Sequence, residues 1–119
     1  MSVSSKKGKD FEKWIASEMR RRGFKAYRDK RSGAGDVYKG DIAAPGFNYG
    51  IEAKAQSTIK LRDWWRQALS ATPSYKMPAL AIETDDGDRL AVIRMSDFLD
   101  MVRTIEEDTD RIKTLTSHK

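Results

Sequence analysis

Tyr49-Gly50-Ile51-Glu52-Ala53-Lys54-Ala55-Gln56 alternates between two kinds of side chain. A β-strand sends successive side chains to opposite faces. Tyr49, Ile51, Ala53 and Ala55 therefore share one face, and Gly50, Glu52, Lys54 and Gln56 share the other. The first face is apolar and can be buried, whereas the second carries two opposite charges two residues apart. Just upstream, Asp41-Ile42-Ala43-Ala44 is a second strand-sized run, closed by Pro45-Gly46, so the two predict an antiparallel hairpin. Pairing of that hairpin would bring Asp41 to Glu52 and Lys54.

Outward from the hairpin, the periodicity changes to that of helices. Phe11, Trp14, Ile15 and Met19 recur at helical spacing, predicting a helix that starts between Ser5 and Asp10 and ends at Gly23. Phe24–Arg28 reads as a short strand with Phe24 and Ala26 on one face. Residues 29–40 hold Gly33, Gly35 and Gly40 among basic and polar residues, which predicts a long mobile surface loop. After the hairpin, Leu61–Ala71 predicts a helix burying Leu61, Trp64, Trp65, Ala68 and Leu69 and stopped by Pro73. Ala79–Glu83 and Leu90–Arg94 predict two strands about the Asp85-Asp86-Gly87-Asp88 turn. Ser96 is placed to cap a last helix whose stripe is Phe98, Met101, Val102 and Ile105, continuing weakly to Ile112. The order is helix, three strands, helix, two strands, helix: an α/β chain.

A length of 119 residues fits one domain, 1–119, with residues 1–10 as a basic N-terminal arm and 114–119 as a fraying tail. No repeat or linker divides it. The longest apolar stretches are strand-sized, so no membrane span is expected. The Ser- and Lys-rich start lacks the apolar core of a secretory signal. Cysteine is absent, which excludes disulfides and thiolate metal sites and agrees with a cytoplasmic location, the host's cytoplasm if the source is viral. Net charge is +5 with a pI near 9.5. The basic residues crowd the first third, which points to a polyanion such as nucleic acid.

Asp41, Glu52 and Lys54 suggest a chemistry for that polyanion. A hard divalent cation binds oxygen and keeps several waters, so two carboxylates, the Ala53 carbonyl and phosphate oxygens are enough to hold magnesium, or manganese in its place. Lys54 could orient the attacking water and offset charge in the transition state. That chemistry is phosphodiester hydrolysis. Asp36 competes with Asp41 as the first ligand but lies within the glycine loop, whereas Asp41 leads directly into a strand, and Asp41 is preferred. The bland alternative makes Glu52 and Lys54 a solvated charge pair on a strand.

Gly40-Asp41 followed by Ile51-Glu52-Ala53-Lys54 resembles the PD-(D/E)xK nuclease signature, with Gly40 standing where the motif's name has proline. The resemblance extends to archaeal-type Holliday junction resolvases and their phage relatives. It runs through Lys7-Gly8-Lys9-Asp10-Phe11-Glu12, Gly23-Phe24-Lys25-Ala26-Tyr27-Arg28 and Arg31-Ser32-Gly33, covering roughly the first 70 residues in order. It implies a restriction-endonuclease-like fold with a central mixed sheet flanked by helices. It also implies Glu12 as a metal-site acid, Ser32 as a loop serine assisting catalysis at the junction, and Gln67 as a DNA contact. The implied activity is a Mg2+-dependent endonuclease resolving four-way DNA junctions as a homodimer, in DNA recombination or repair. Other nucleases of the superfamily and a non-catalytic nucleic-acid-binding module are the alternatives.

Lys6, Lys7, Lys9, Arg28, Lys30, Arg31, Ser32 and Lys39 are candidate DNA contacts because of their density near the site. Arg20, Arg21 and Arg22 close a helix, where cations suit the dipole. Trp64 and Trp65 have core spacing rather than that of a base-stacking platform. Gly33-Ala34-Gly35 lacks the helix of a nucleotide fingerprint, and His118 lies in the tail.

Overall fold

The computed structural model describes residues 3–28 and 41–117. Along the chain these are α1 (Val3–Arg21), β1 (Tyr27–Arg28), β2 (Ile42–Ala43), β3 (Tyr49–Lys54), α2 (Leu61–Ala71), β4 (Met77–Glu83), β5 (Arg89–Val92) and α3 (Met95–Ser117). The described strands form one mixed sheet in the order β1-β2-β3-β4-β5. Only β3 and β4 are parallel, joined through α2, and every other pairing is antiparallel. The result is the α/β architecture with helices flanking a mixed sheet. Residues 29–40, the predicted glycine loop, lie outside the described residues, as does His118.

Alternation along β3 divides the interior in two. Ile51, Ala53 and Ala55 face a cluster built on Phe11, Ile15, Ala16 and Met19 of α1, together with Ala26, Ile42 and Ala44. On the opposite face, α2 lays Trp64 against Leu80 and Ile82, with Trp65 and Val92 at the margin. Apolar side chains at i, i+4 and i+8 make one stripe on α1. Gly23 then stops the helix at φ +93°, a conformation open to glycine, as the Phe24 amide donates to the Met19 carbonyl. Arg22 donates to the Glu18 carbonyl and Arg20 to the Ala26 carbonyl, so both serve the end of α1.

Several boundaries differ from the sequence reading for identifiable reasons. α1 begins at Val3, so Lys6, Lys7 and Lys9 ride on its first turns instead of on an extended arm. β1 is confined to Tyr27–Arg28, and Phe24 is exposed, meeting Phe47 edge-on at 5.0 Å. β4 reaches back across Pro78, because β5 pairs only from Leu80 onward and no ladder bond from residue 78 toward it is needed. Trp14, Leu61 and Leu69 are exposed. On α2 only Trp64 and Ala68 are fully buried, since two adjacent residues on a helix turn cannot both face the sheet.

The largest departure is α3. It starts at Met95, with the Phe98 amide donating to the Arg94 carbonyl, so Ser96 lies inside the first turn and not at the cap. It continues to Ser117, past the point where fraying was expected. Phe98, Met101 and Ile105 of its stripe are exposed, and only Val102 is half-buried. Among the described residues no helix is long and apolar enough to cross a membrane.

Leu80, at 0% exposure, bridges Trp64 and β5 in the middle of the sheet. Leu80→Ala should cost about 3 kcal/mol of stability, the lost transfer energy plus the cavity left behind. Urea unfolding at pH 7 measures it, and a loss below about 1 kcal/mol would show that the α2 face of the sheet is loosely packed.

Candidate active site

Asp41 is the residue on which the site is assembled. It precedes β2, its amide donates to the Ile51 carbonyl at 3.2 Å, and its carboxylate accepts a 2.8 Å hydrogen bond from the Ala53 amide. Both ends of Asp41 are thus tied to β3, on either side of Glu52. The register that pairs Ile42 with Ile51 fixes this relation. Lys54 follows two residues along the same strand, its Nζ 3.8 Å from Glu52 Oε1, with the two side chains only 19% and 12% exposed.

Burial dominates the electrostatics. Desolvation, reinforced by the charge of Asp41 and opposed by Lys54, pushes the Glu52 carboxyl up to about 7. Asp41 is also raised, first by burial, although the Ala53 amide and Lys54 pull the other way. Each carboxyl bears on the other, the Asp41 charge raising the Glu52 carboxyl further, so the pair favours holding a proton at Glu52. Glu12 adds negative potential at both, so α1 brings a third acid to the cluster. Glu12 is itself held by Arg28, Nε to Oε2 at 2.5 Å, with both side chains mostly buried.

Arg28 was expected to contact phosphate, and the structure engages it with Glu12. β1 pairs Arg28 with Ile42, next to Asp41, so the structure sets this cation beside the acids. Lys7 forms an exposed 3.0 Å ion pair with Asp85 of the β4–β5 turn. Lys6 is exposed on the same helix, and Lys9 lies three residues before Glu12, on the same side of α1. Gln67 is exposed on α2, with no hydrogen bond to the cluster among the described residues. Lys30, Arg31, Ser32, Asp36 and Lys39 lie outside the described residues.

Among the described residues no three acids or histidines lie close enough to cage a cation by themselves. Two adjoining buried carboxyls nevertheless suit a hard cation that takes one or two protein carboxylates and fills its shell with water and phosphate oxygen. Asp41 and Glu52 would hold it with the Ala53 carbonyl, whereas Glu12, engaged by Arg28, does not complete a three-acid group with them.

Among known protein families, residues 3–118 match the family described as phage putative PDDEXK endonuclease. Neither the curated proteins nor the solved structures give a match.

The raised Glu52 carboxyl makes stability depend on pH in a stated direction. Glu52 ionises near 4.5 in the unfolded chain and near 7 in the folded one, so between those values the folded state binds more protons. Stability of the metal-free protein should therefore fall as pH rises through that window. Glu52→Gln should remove this part of the fall and be the more stable protein at pH 8, by roughly 1–2 kcal/mol after allowing for solvent access. Urea unfolding in EDTA across the window measures it. Parallel curves for the two proteins would show that the Glu52 carboxyl is not raised.

Proposed function

The chain belongs to this PDDEXK endonuclease family, and on that premise we propose that it is a Mg2+-dependent DNA endonuclease that cuts branched DNA, with the four-way junction as its preferred substrate. The observation that carries the proposal is the buried Asp41–Glu52 carboxyl pair with Lys54 two residues along β3. Membership of a nuclease family makes DNA the substrate class. The finer reading, resolution of junctions in recombination or repair by a homodimer in the cytoplasm, rests on the Lys7-Gly8 to Glu12 and Arg31-Ser32-Gly33 resemblance and on the basic first third of the chain.

When bound, a divalent cation supplies a Lewis acid for the scissile phosphate and a water of lowered pKa. The chain's own residues do the positioning. Asp41, fixed by the Ala53 amide, and Glu52 present their oxygens toward one another with little freedom to drift. Lys54 stands where its ammonium can hold the attacking water and offset the charge that builds on the phosphorus oxygens. Arg28 holds Glu12 in place at the edge of the cluster through their ion pair. Lys6 and Lys9 add positive charge along α1, on the same helix as Glu12, where a phosphate backbone can lie.

The test is cleavage of a synthetic four-way junction, a flap and a linear duplex of the same sequence, with Mg2+, with Mn2+ and with EDTA. The junction should be cut first and only with metal. Asp41→Asn and Glu52→Gln should each lower cleavage by about a thousandfold or more while retaining junction binding. Lys54→Met should reduce kcat more than it raises KM. Equal cutting of linear duplex would overturn the junction preference. Cutting by either carboxylate variant would overturn the site, and binding without cleavage of any substrate would favour a non-catalytic nucleic-acid-binding module.

A further inference from the structure

Every described residue from Arg103 to Thr116 is exposed, about 21 Å of helix without tertiary support. A segment of that length is marginal as a helix in water unless its apolar side is covered. Its apolar side is well defined: Phe98, Met101, Ile105, Ile112 and Leu115 are between 40% (Met101) and 66% (Leu115) exposed. Together they present roughly 500 Å² of apolar surface in one stripe, near the upper limit for a monomer. The spacing is heptad, with 98, 105 and 112 in one series and 101, 108 and 115 in the other, and Asp108 is the one polar member.

We propose that α3 is a self-association arm that pairs antiparallel with α3 of a second copy of this chain. The stripe is symmetric about the point between Glu106 and Glu107. An antiparallel copy sets Phe98 against Leu115, Met101 against Ile112, and Ile105 against Asp108, so all six positions meet in register.

The base of α3 identifies the occupant. There Tyr49, Met77, Asp97, Asp100, Met101 and Ile105 line an open groove of about 370 Å³. One carboxylate oxygen of Asp97 is buried there without a hydrogen-bond partner among the described residues. A buried oxygen of that kind calls for a hydrogen-bond donor, which a basic side chain supplies. The far end of α3 carries Ile112 and Leu115 beside Arg111 and Lys113. An antiparallel copy delivers those two apolar side chains to the groove and the two bases to Asp97 and Asp100. Arg111 is held in its own chain only by a 3.3 Å pair with Asp108 in which both side chains are largely exposed, so it can be redirected at little cost. With the flanking residues the pairing covers roughly 800 Å² per protomer, the area of a stable interface. Two Asp108 carboxylates fall near the two-fold axis and moderate the affinity, as polar residues in a heptad seam do.

Light scattering and sedimentation of the full protein, without DNA or metal, test the pairing. The wild type should be a dimer at tens of micromolar. Ile112→Asp with Leu115→Asp should be monomeric with an unchanged circular dichroism signal from the body, and Asp108→Leu should tighten the dimer about tenfold or more. Because the chain has no cysteine, orientation can be read separately. Phe98→Cys mixed with Leu115→Cys should form a disulfide-linked heterodimer on oxidation, whereas Leu115→Cys cross-linked preferentially to itself would mean a parallel pair and overturn the arrangement. A monomeric wild type, or no tightening by Asp108→Leu, overturns the proposal. These readouts are independent of cleavage: a monomeric active nuclease refutes the pairing alone, and a dimer without cleavage refutes the nuclease reading alone.

Discussion

The 2.8 Å hydrogen bond from the Ala53 amide to the Asp41 carboxylate is the constraint on which the site depends. It takes an acid at the exit of residues 29–40 and fixes it on the strand that carries Glu52 and Lys54. The arrangement is electrostatically costly, because Asp41 and Glu52 are buried side by side, with Lys54 only partly offsetting them. Burial first, and the charge of Asp41 second, raise the Glu52 carboxyl to about 7. On the proposed function, a divalent cation between Asp41 and Glu52 would take the place of the proton held at Glu52, relieve the same buried repulsion and leave the site more attractive to the negative charge of a phosphodiester.

Much of this architecture was legible in the sequence, and the successes share a cause. β3, α2 and the β4–β5 hairpin were found because each has its pattern and its punctuation within a dozen residues: alternation closed by Pro45-Gly46, an amphipathic stretch stopped by Pro73, and Asp85-Asp86-Gly87-Asp88 with Gly87 at φ +91°. The convergence of Asp41 with Glu52 followed from one antiparallel pairing. Arg28 with Glu12 did not, because it depends on β1 lying beside β2 and on α1 crossing over both, which no local pattern encodes. Periodicity marks which side of a helix is apolar and says nothing of what covers it. The stripe on α3 was legible as apolar, and the structure leaves it open.

The helices are distributed unequally over the sheet. α1 packs across β1, β2 and β3, and α2 packs across β3 and β4 on the other face. The part of the α1 side that belongs to β4 and β5 is left as an apolar groove of about 600 Å³, bordered by Trp14, Phe47, Leu90 and Met101. Its one prominent charge, Arg89, lies 4.2 Å over the Trp14 ring and pairs with Glu83, so the groove has little polar character to hold water. Met101 and Tyr49 border both this groove and the smaller one at the base of α3, so the open sheet face and the exposed stripe form one continuous surface.

The base of α3 and Lys54 lie at opposite ends of one strand. Tyr49 opens β3 beside the base of α3, and Lys54 closes it beside Glu52 and Asp41. Five steps of about 3.3 Å separate them, roughly 17 Å of rigid sheet. Under the pairing proposed above, an isologous contact built on α3 would cover the Tyr49 end of each β3 and relate the two carboxyl clusters by a two-fold axis, an arrangement that would suit a substrate with two equivalent strands. The two regions are not independent, because α1 joins them as β3 does: Glu12 lies between Phe11 and Trp14, which line the apolar groove.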